Sequence, residues 1–118
     1  GWYQEGLIHE ALSGQMVRSK SELVIANLLH ERDIPFSYEV LLRASDGTMY
    51  LPDFTITWQG ETWFWEHWGM MSSEKYQDHR NRKIAWYEKH FPGRLIETFE
   101  NPKLSQDAAA HINERFQE

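Results

Sequence analysis

The chain has 118 residues with 18 acids against 12 bases, a formal net charge of −6, and no cysteine. One domain fits this length, and such a chain buries roughly two-thirds of its unfolded surface without covalent staples. Disulfide frameworks, thiolate zinc sites and cysteine nucleophiles are excluded, and the acidic balance excludes a passive phosphate-coating protein, whose affinity comes from neutralising phosphates. No apolar run approaches the ~20 residues of a membrane span, and no basic-plus-apolar leader opens the chain, so a cytoplasmic protein without membrane contact is expected.

In chain order, Trp2, Tyr3, Leu7, Ile8 and Leu12 suggest a short amphipathic helix ended by Ser13-Gly14. Residues 19–33 read as a helix. Ser19 and Glu22 have capping-box spacing, Leu23, Ile25, Ala26, Leu28 and Leu29 supply an apolar side, and Ile34-Pro35 ends it. Three strands are expected next, over 36–43, 50–58 and 62–68, separated by the turns Asp46-Gly47 and Gln59-Gly60. Pro52 points to a bulge or an edge inside the second strand. Helical spacing returns over 73–90 and stops at Phe91-Pro92-Gly93. A short strand over 95–99 and a helix over 104–117, with Leu104, Ala108, Ile112 and Phe116 at four-residue steps, complete the order α-β-β-β-α-β-α. The pattern is that of one α/β domain.

The turn at Gln59-Gly60 has a chemical consequence. If these two residues form the loop, Trp58 pairs with Glu61, and stepping outward sets Asp53 directly opposite Glu66. Opposed side chains lie about 5 Å apart at Cβ, where like charges repel. Leu51, Pro52 and Phe54 flank one acid; Phe64, Trp65 and Trp68 flank the other. Two acids in an apolar setting are costly unless something positive lies between them. A divalent cation answers that need, and oxygen donors without thiolate favour Mg²⁺ or Mn²⁺ over zinc. The competing reading is a pair of solvated acids on an edge hairpin, since a one-residue slip turns them to opposite faces. Glu22 lies one turn before the apolar side of its helix; it is either a third acid of the same site or only the capping-box glutamate. His67 points to the opposite face from Glu66, as a packed histidine whose backbone carbonyl remains available to a hard cation.

Glu22 on the first helix, Pro52-Asp53-Phe54 on one strand and Trp65-Glu66-His67 on the next resemble the PD-(D/E)XK nuclease superfamily. The segments VRSKSELVIANLL, LPDFTI, WEHWGM and RNRKIAWYEKH resemble the small nuclease-like domains found alone or appended to UvrD/Rep-type helicases. The likeness covers about residues 16–99. It implies a restriction-endonuclease-like αβββαβ core, a central mixed sheet flanked by helices, with 104–117 as an added C-terminal helix. It also implies a Mg²⁺- or Mn²⁺-dependent deoxyribonuclease in DNA repair or defence. Asp53, Glu66 and the His67 carbonyl would hold the metal, Glu22 would assist directly or through water, and the metal would activate water for attack on a phosphodiester.

One position departs from the family pattern: Trp68 stands where a lysine belongs. Lys83 is the candidate replacement, sharing a helix face with Tyr76, Arg80 and Tyr87; Lys20, beside Glu22, is the second. Arg18, Lys20, Tyr76, Arg80 and Tyr87 are the expected nucleic-acid contacts. Residues 74–89 carry a local excess of two positive charges. Trp63, Trp65 and Trp68 have the chemistry to stack on unpaired bases, although core packing suits Trp63 and Trp65 better. DNA is the expected partner, with a helicase or other domain, or a second copy of the chain, supplying surface that the small core lacks. The rival reading is a nuclease-derived nucleic-acid-binding or protein-interaction module without catalysis, which Trp68 and the net charge favour.

Overall fold

The computed structural model describes residues 6–69 and 71–117. Among the described residues the chain is a mixed α/β protein with three helices and a mixed four-stranded sheet. Two short hairpins accompany it: β1 (His9–Glu10) with β2 (Met16–Val17), and β4 (Leu42–Arg43) with β5 (Met49–Tyr50). The main sheet runs β3 (Phe36–Tyr38), β6 (Phe54–Trp58), β7 (Glu61–Trp68), β8 (Leu95–Phe99), antiparallel until the last pair, which is parallel. Among the described residues no helix is long and apolar enough to cross a membrane.

Helix α1 (Lys20–Glu31) begins where the Ser19 side chain accepts the Glu22 N–H at 3.1 Å, as its capping spacing requires. Helix α2 (Glu74–His90) is capped the same way by Ser73. Helices α1 and α3 (Leu104–Arg115) cover one sheet face, burying Ile25, Leu29, Phe54, Ile56, Trp65, Ile96 and Ile112. Helix α2 covers the other, where Tyr87 and Trp86 pack with Phe64 and Ala44. Even-numbered residues of β7 therefore face α2, and odd-numbered ones face α1 and α3.

Three expectations need correction. The N-terminal stretch is a hairpin, not a helix: Ile8 and Leu12, whose four-residue spacing suggested helix, are 71% and 63% exposed. Trp2 and Tyr3 lie outside the described residues. The strand expected over 36–43 is two strands, broken at Glu39, where φ is +50° and the side chain turns to ion-pair with Arg18 at 2.8 Å. The second expected strand is likewise split by residues 51–53 around Pro52.

The β6–β7 hairpin closes on Gln59-Gly60, at φ +49° and +81°, the backbone of a two-residue turn whose twist matches the strands. Its register runs from Phe54 opposite Trp65 to Trp58 opposite Glu61. Because an L side chain in the left-handed region costs about 1–2 kcal/mol, Gly60→Ala should lower stability by about 1 kcal/mol in guanidinium melts, with unchanged slope. Unaltered stability would show that the turn does not hold the register.

Candidate functional site

The ladder itself ends at Phe54 and Trp65; Asp53 and Glu66 are the residues that follow this pair, and the Glu66 and Lys83 charges both act on the Asp53 carboxyl. Glu66 is buried, and Asp53 keeps slight solvent contact although protein atoms surround its carboxyl group densely. Burial, and secondarily the neighbouring Glu66 charge, push the Asp53 carboxyl well above the usual range. Burial also raises Glu66, against the pull of Lys83 and Tyr87.

Each carboxylate is held on one oxygen. Glu66 Oε2 accepts from Lys83 Nζ at 2.8 Å and from the Tyr87 hydroxyl at 2.7 Å. Asp53 Oδ2 accepts the His67 N–H at 2.7 Å. Glu22 Oε1 accepts the Tyr38 hydroxyl at 2.8 Å and the Arg18 N–H at 3.0 Å. Burial and the adjacent carboxylates drive the Tyr38 and Tyr87 phenols far above their ordinary values, so both stay protonated as donors. Among the described residues, the second oxygen of each acid accepts no hydrogen bond.

The β7 backbone adds a further donor atom. Phe64 N–H donates to Arg94 and Trp68 accepts from Glu100, so even residues bond toward β8. Odd residues therefore bond toward β6, and the His67 N–H does so through Asp53. The ladder position opposite His67 is residue 52, a proline with no N–H to give. The His67 carbonyl thus faces the Asp53 edge without a ladder donor. Two carboxylate oxygens and one carbonyl form an oxygen donor set of the kind hard divalent cations take, usually keeping several waters. Among the described residues no three acidic or imidazole side chains are gathered tightly enough to enclose an ion. Glu22, arriving from α1 and close enough to influence Asp53 electrostatically, suits contact through water.

Lys83 reaches the site from α2. Its ammonium lies 5.4 Å from the Tyr50 ring centre and 5.6 Å from that of Trp68, within cation–π range. Trp68 is buried, and its indole N–H donates to Glu97 Oε2 at 2.8 Å, so it packs beside Lys83 and has no free face for a base. Trp65 is buried in the other core, and Trp63 packs on Phe116. Lys20 is exposed at the start of α1 and forms no ion pair among the described residues. The expected nucleic-acid residues separate. Tyr87 is buried against Glu66, not on the surface. Arg80 is ion-paired with Glu97 at 2.8 Å, Arg18 with Glu39, and the half-buried Tyr76 accepts the Gly69 N–H at 3.2 Å.

The sequence reading missed two groups. Glu97, opposite Glu66 across the parallel ladder, ties Trp68 and Arg80 together. The His67 ring, on the far face as expected, bridges Thr98 Oγ1 (2.8 Å from Nδ1) and Glu100 (3.0 Å from Nε2). Ser21, next to Glu22, also bonds Glu100, so α1 and the end of β7 are braced together. Neither link has a sequence signal, because a parallel crossover leaves the β7–β8 register undetermined.

Asp53 offers a direct test of the electrostatics. A carboxyl raised in the folded state contributes no penalty below the ordinary carboxylate pKa and progressively destabilises the fold as pH rises through its elevated value. In EDTA, Asp53→Asn should therefore match the parent near pH 4 and exceed it by about 1 kcal/mol near pH 8. Denaturant melts at both pH values measure this. A large loss of stability instead would make the carboxylate a structural hydrogen-bond acceptor and nothing more.

No family model matches the chain, and no solved structure matches it. Among curated proteins it is similar to an uncharacterized protein of Methanocaldococcus jannaschii, 42% identical over 66 residues, a stretch covering 56% of this chain. The chain spans only 6% of that relative's length, so the likeness is to one segment of a far longer polypeptide.

Proposed function

We propose that this chain is a metal-dependent nuclease domain of the PD-(D/E)XK type, with a restriction-endonuclease-like fold, that hydrolyses DNA phosphodiester bonds. The observation that carries the reading is the Asp53 and Glu66 pair, each with one oxygen held and one left open, beside a buried lysine.

Asp53, Glu66 and the His67 carbonyl are the residues that would hold Mg²⁺ or Mn²⁺, with Glu22 reaching it through water. Bound there, such an ion supplies Lewis-acid activation of water and of the phosphoryl oxygen. The chain's own groups do the rest. The His67 N–H fixes the Asp53 rotamer, and Tyr87 fixes Glu66. Lys83, held to Glu66 and walled by Tyr50 and Trp68, places a positive charge where a pentavalent phosphate gathers negative charge. It does so from a helix rather than from the strand position that Trp68 fills.

A second reading has specific support. With its ammonium committed to Glu66, Lys83 has little freedom to serve a substrate, and the matching segment in M. jannaschii belongs to a much longer protein. Both favour a nuclease-derived binding module, without catalysis, inside a larger helicase, repair or defence machine.

Cleavage assays separate the two. The first reading predicts DNA hydrolysis with Mg²⁺ or Mn²⁺, abolished by Asp53→Ala and reduced about 100-fold in kcat by Lys83→Met while Mn²⁺ affinity persists. DNA bound but uncut with either metal supports the module. Cleavage that survives Asp53→Ala at the parent rate would falsify the assigned site.

A further inference from the structure

The basic side chains nearest the sheet are already committed. Arg18 pairs with Glu39, Arg80 with Glu97, Lys83 with Glu66 and Arg94 with Glu61. Lys75 and Arg82 differ. Both are exposed on α2, and neither side chain makes an ion pair or hydrogen bond among the described residues. Asp78, one turn from Arg82, is not within ion-pairing reach of it.

These two cations are not scattered. Lys75, His79 and Arg82 stand at four- and three-residue steps, on one face of the helix. With Ser73 and Tyr76 they line an open groove of about 290 Å³. Burial first, and then the charges of Lys83 and Arg82, lower the His79 pKa. The chain as a whole carries −6, so a groove with these cations runs against its background.

The groove is also continuous with the carboxylate site. The Tyr76 ring touches His79 in the groove, at 6.4 Å between centres, and Trp68 at the site, at 6.3 Å. Lys83 stands beside Trp68. At 1.5 Å rise per residue, His79 lies about 6 Å and Lys75 about 12 Å along the helix from Lys83. Phosphates of one duplex strand recur every ~3.4 Å of axis, so this row spans about three of them.

We infer that the Lys75–His79–Arg82 groove is a phosphate-backbone track that leads a DNA strand along α2 toward the Asp53/Glu66 site. The identity of the strand rests on the nuclease reading; the track itself does not require cleavage. None of its residues holds a carboxylate of the Asp53/Glu66 site. It also assigns the expected nucleic-acid contact of α2 to the face beside Arg80 and Tyr87, whose own side chains are committed inward.

The test measures binding in EDTA, where no strand is cut, by fluorescence anisotropy of a short labelled DNA across a salt series. Lys75→Ala combined with Arg82→Ala should weaken binding about tenfold and flatten the log–log salt dependence by about two phosphate contacts, with thermal stability unchanged. Lys89→Ala combined with Lys103→Ala, which removes equal charge elsewhere, should change affinity by less than about threefold. No binding by the parent chain, unchanged binding by the α2 variant, or equal loss in both variants overturns the track. Normal loss of binding in the α2 variant from a chain that cuts no DNA under any metal would retire the nuclease reading and leave the track standing.

Discussion

The structure turns on the repulsion between two carboxylates at the end of a β-ladder. Asp53 and Glu66 sit just beyond the last paired residues of the β6–β7 hairpin, in surroundings that raise both above their ordinary pKa. Left alone, such a pair is an argument against the fold. The molecule offsets it with one ammonium, one phenol and one backbone N–H, each directed to a single oxygen. This partial compensation leaves the second oxygen of each acid without a hydrogen-bond donor among the described residues. A protein selecting only for stability gains more from replacing buried ion pairs with apolar groups of similar volume.

The fold supplies the geometry through small backbone devices. A two-residue turn with both φ values positive fixes the register, and a one-residue slip would part the acids. Pro52 ends the ladder one position early and removes the N–H that would occupy the His67 carbonyl. Helix α2 then serves two ends: its buried face delivers Lys83 and Tyr87 to Glu66, and its neighbouring exposed face presents Lys75, His79 and Arg82. Core packing and candidate chemistry share this one element, which is why a chain of net negative charge can keep a localised positive surface.

What was legible in the sequence was local. Ser19 and Glu22 announced the start of α1, and Gln59-Gly60 announced the hairpin and its register as far as Phe54 and Trp65. The helical step from Lys83 to Tyr87 placed both on one side, although burial of that side, and thus the loss of Tyr87 as a surface contact, came only with the fold. The illegible parts depended on distant elements. Ile8 and Leu12 have helical spacing but no core above them, and pairing of β1 with β2 decided their conformation. Glu39 broke a plausible strand because Arg18 waits across the chain. Glu97, Thr98 and Glu100 gained their roles from a parallel register set by a whole crossover helix. The groove cations became distinguishable from the committed Arg18, Arg80, Lys83 and Arg94 only once the ion pairs were assigned.

The most direct measurement is anomalous X-ray scattering from a crystal of this chain soaked in Mn²⁺. The account predicts a single strong peak between Asp53 and Glu66, beside the His67 carbonyl, with the Lys83 ammonium as the nearest cationic group. Full occupancy of both side chains with no peak between them, or a peak elsewhere on the surface, would contradict it.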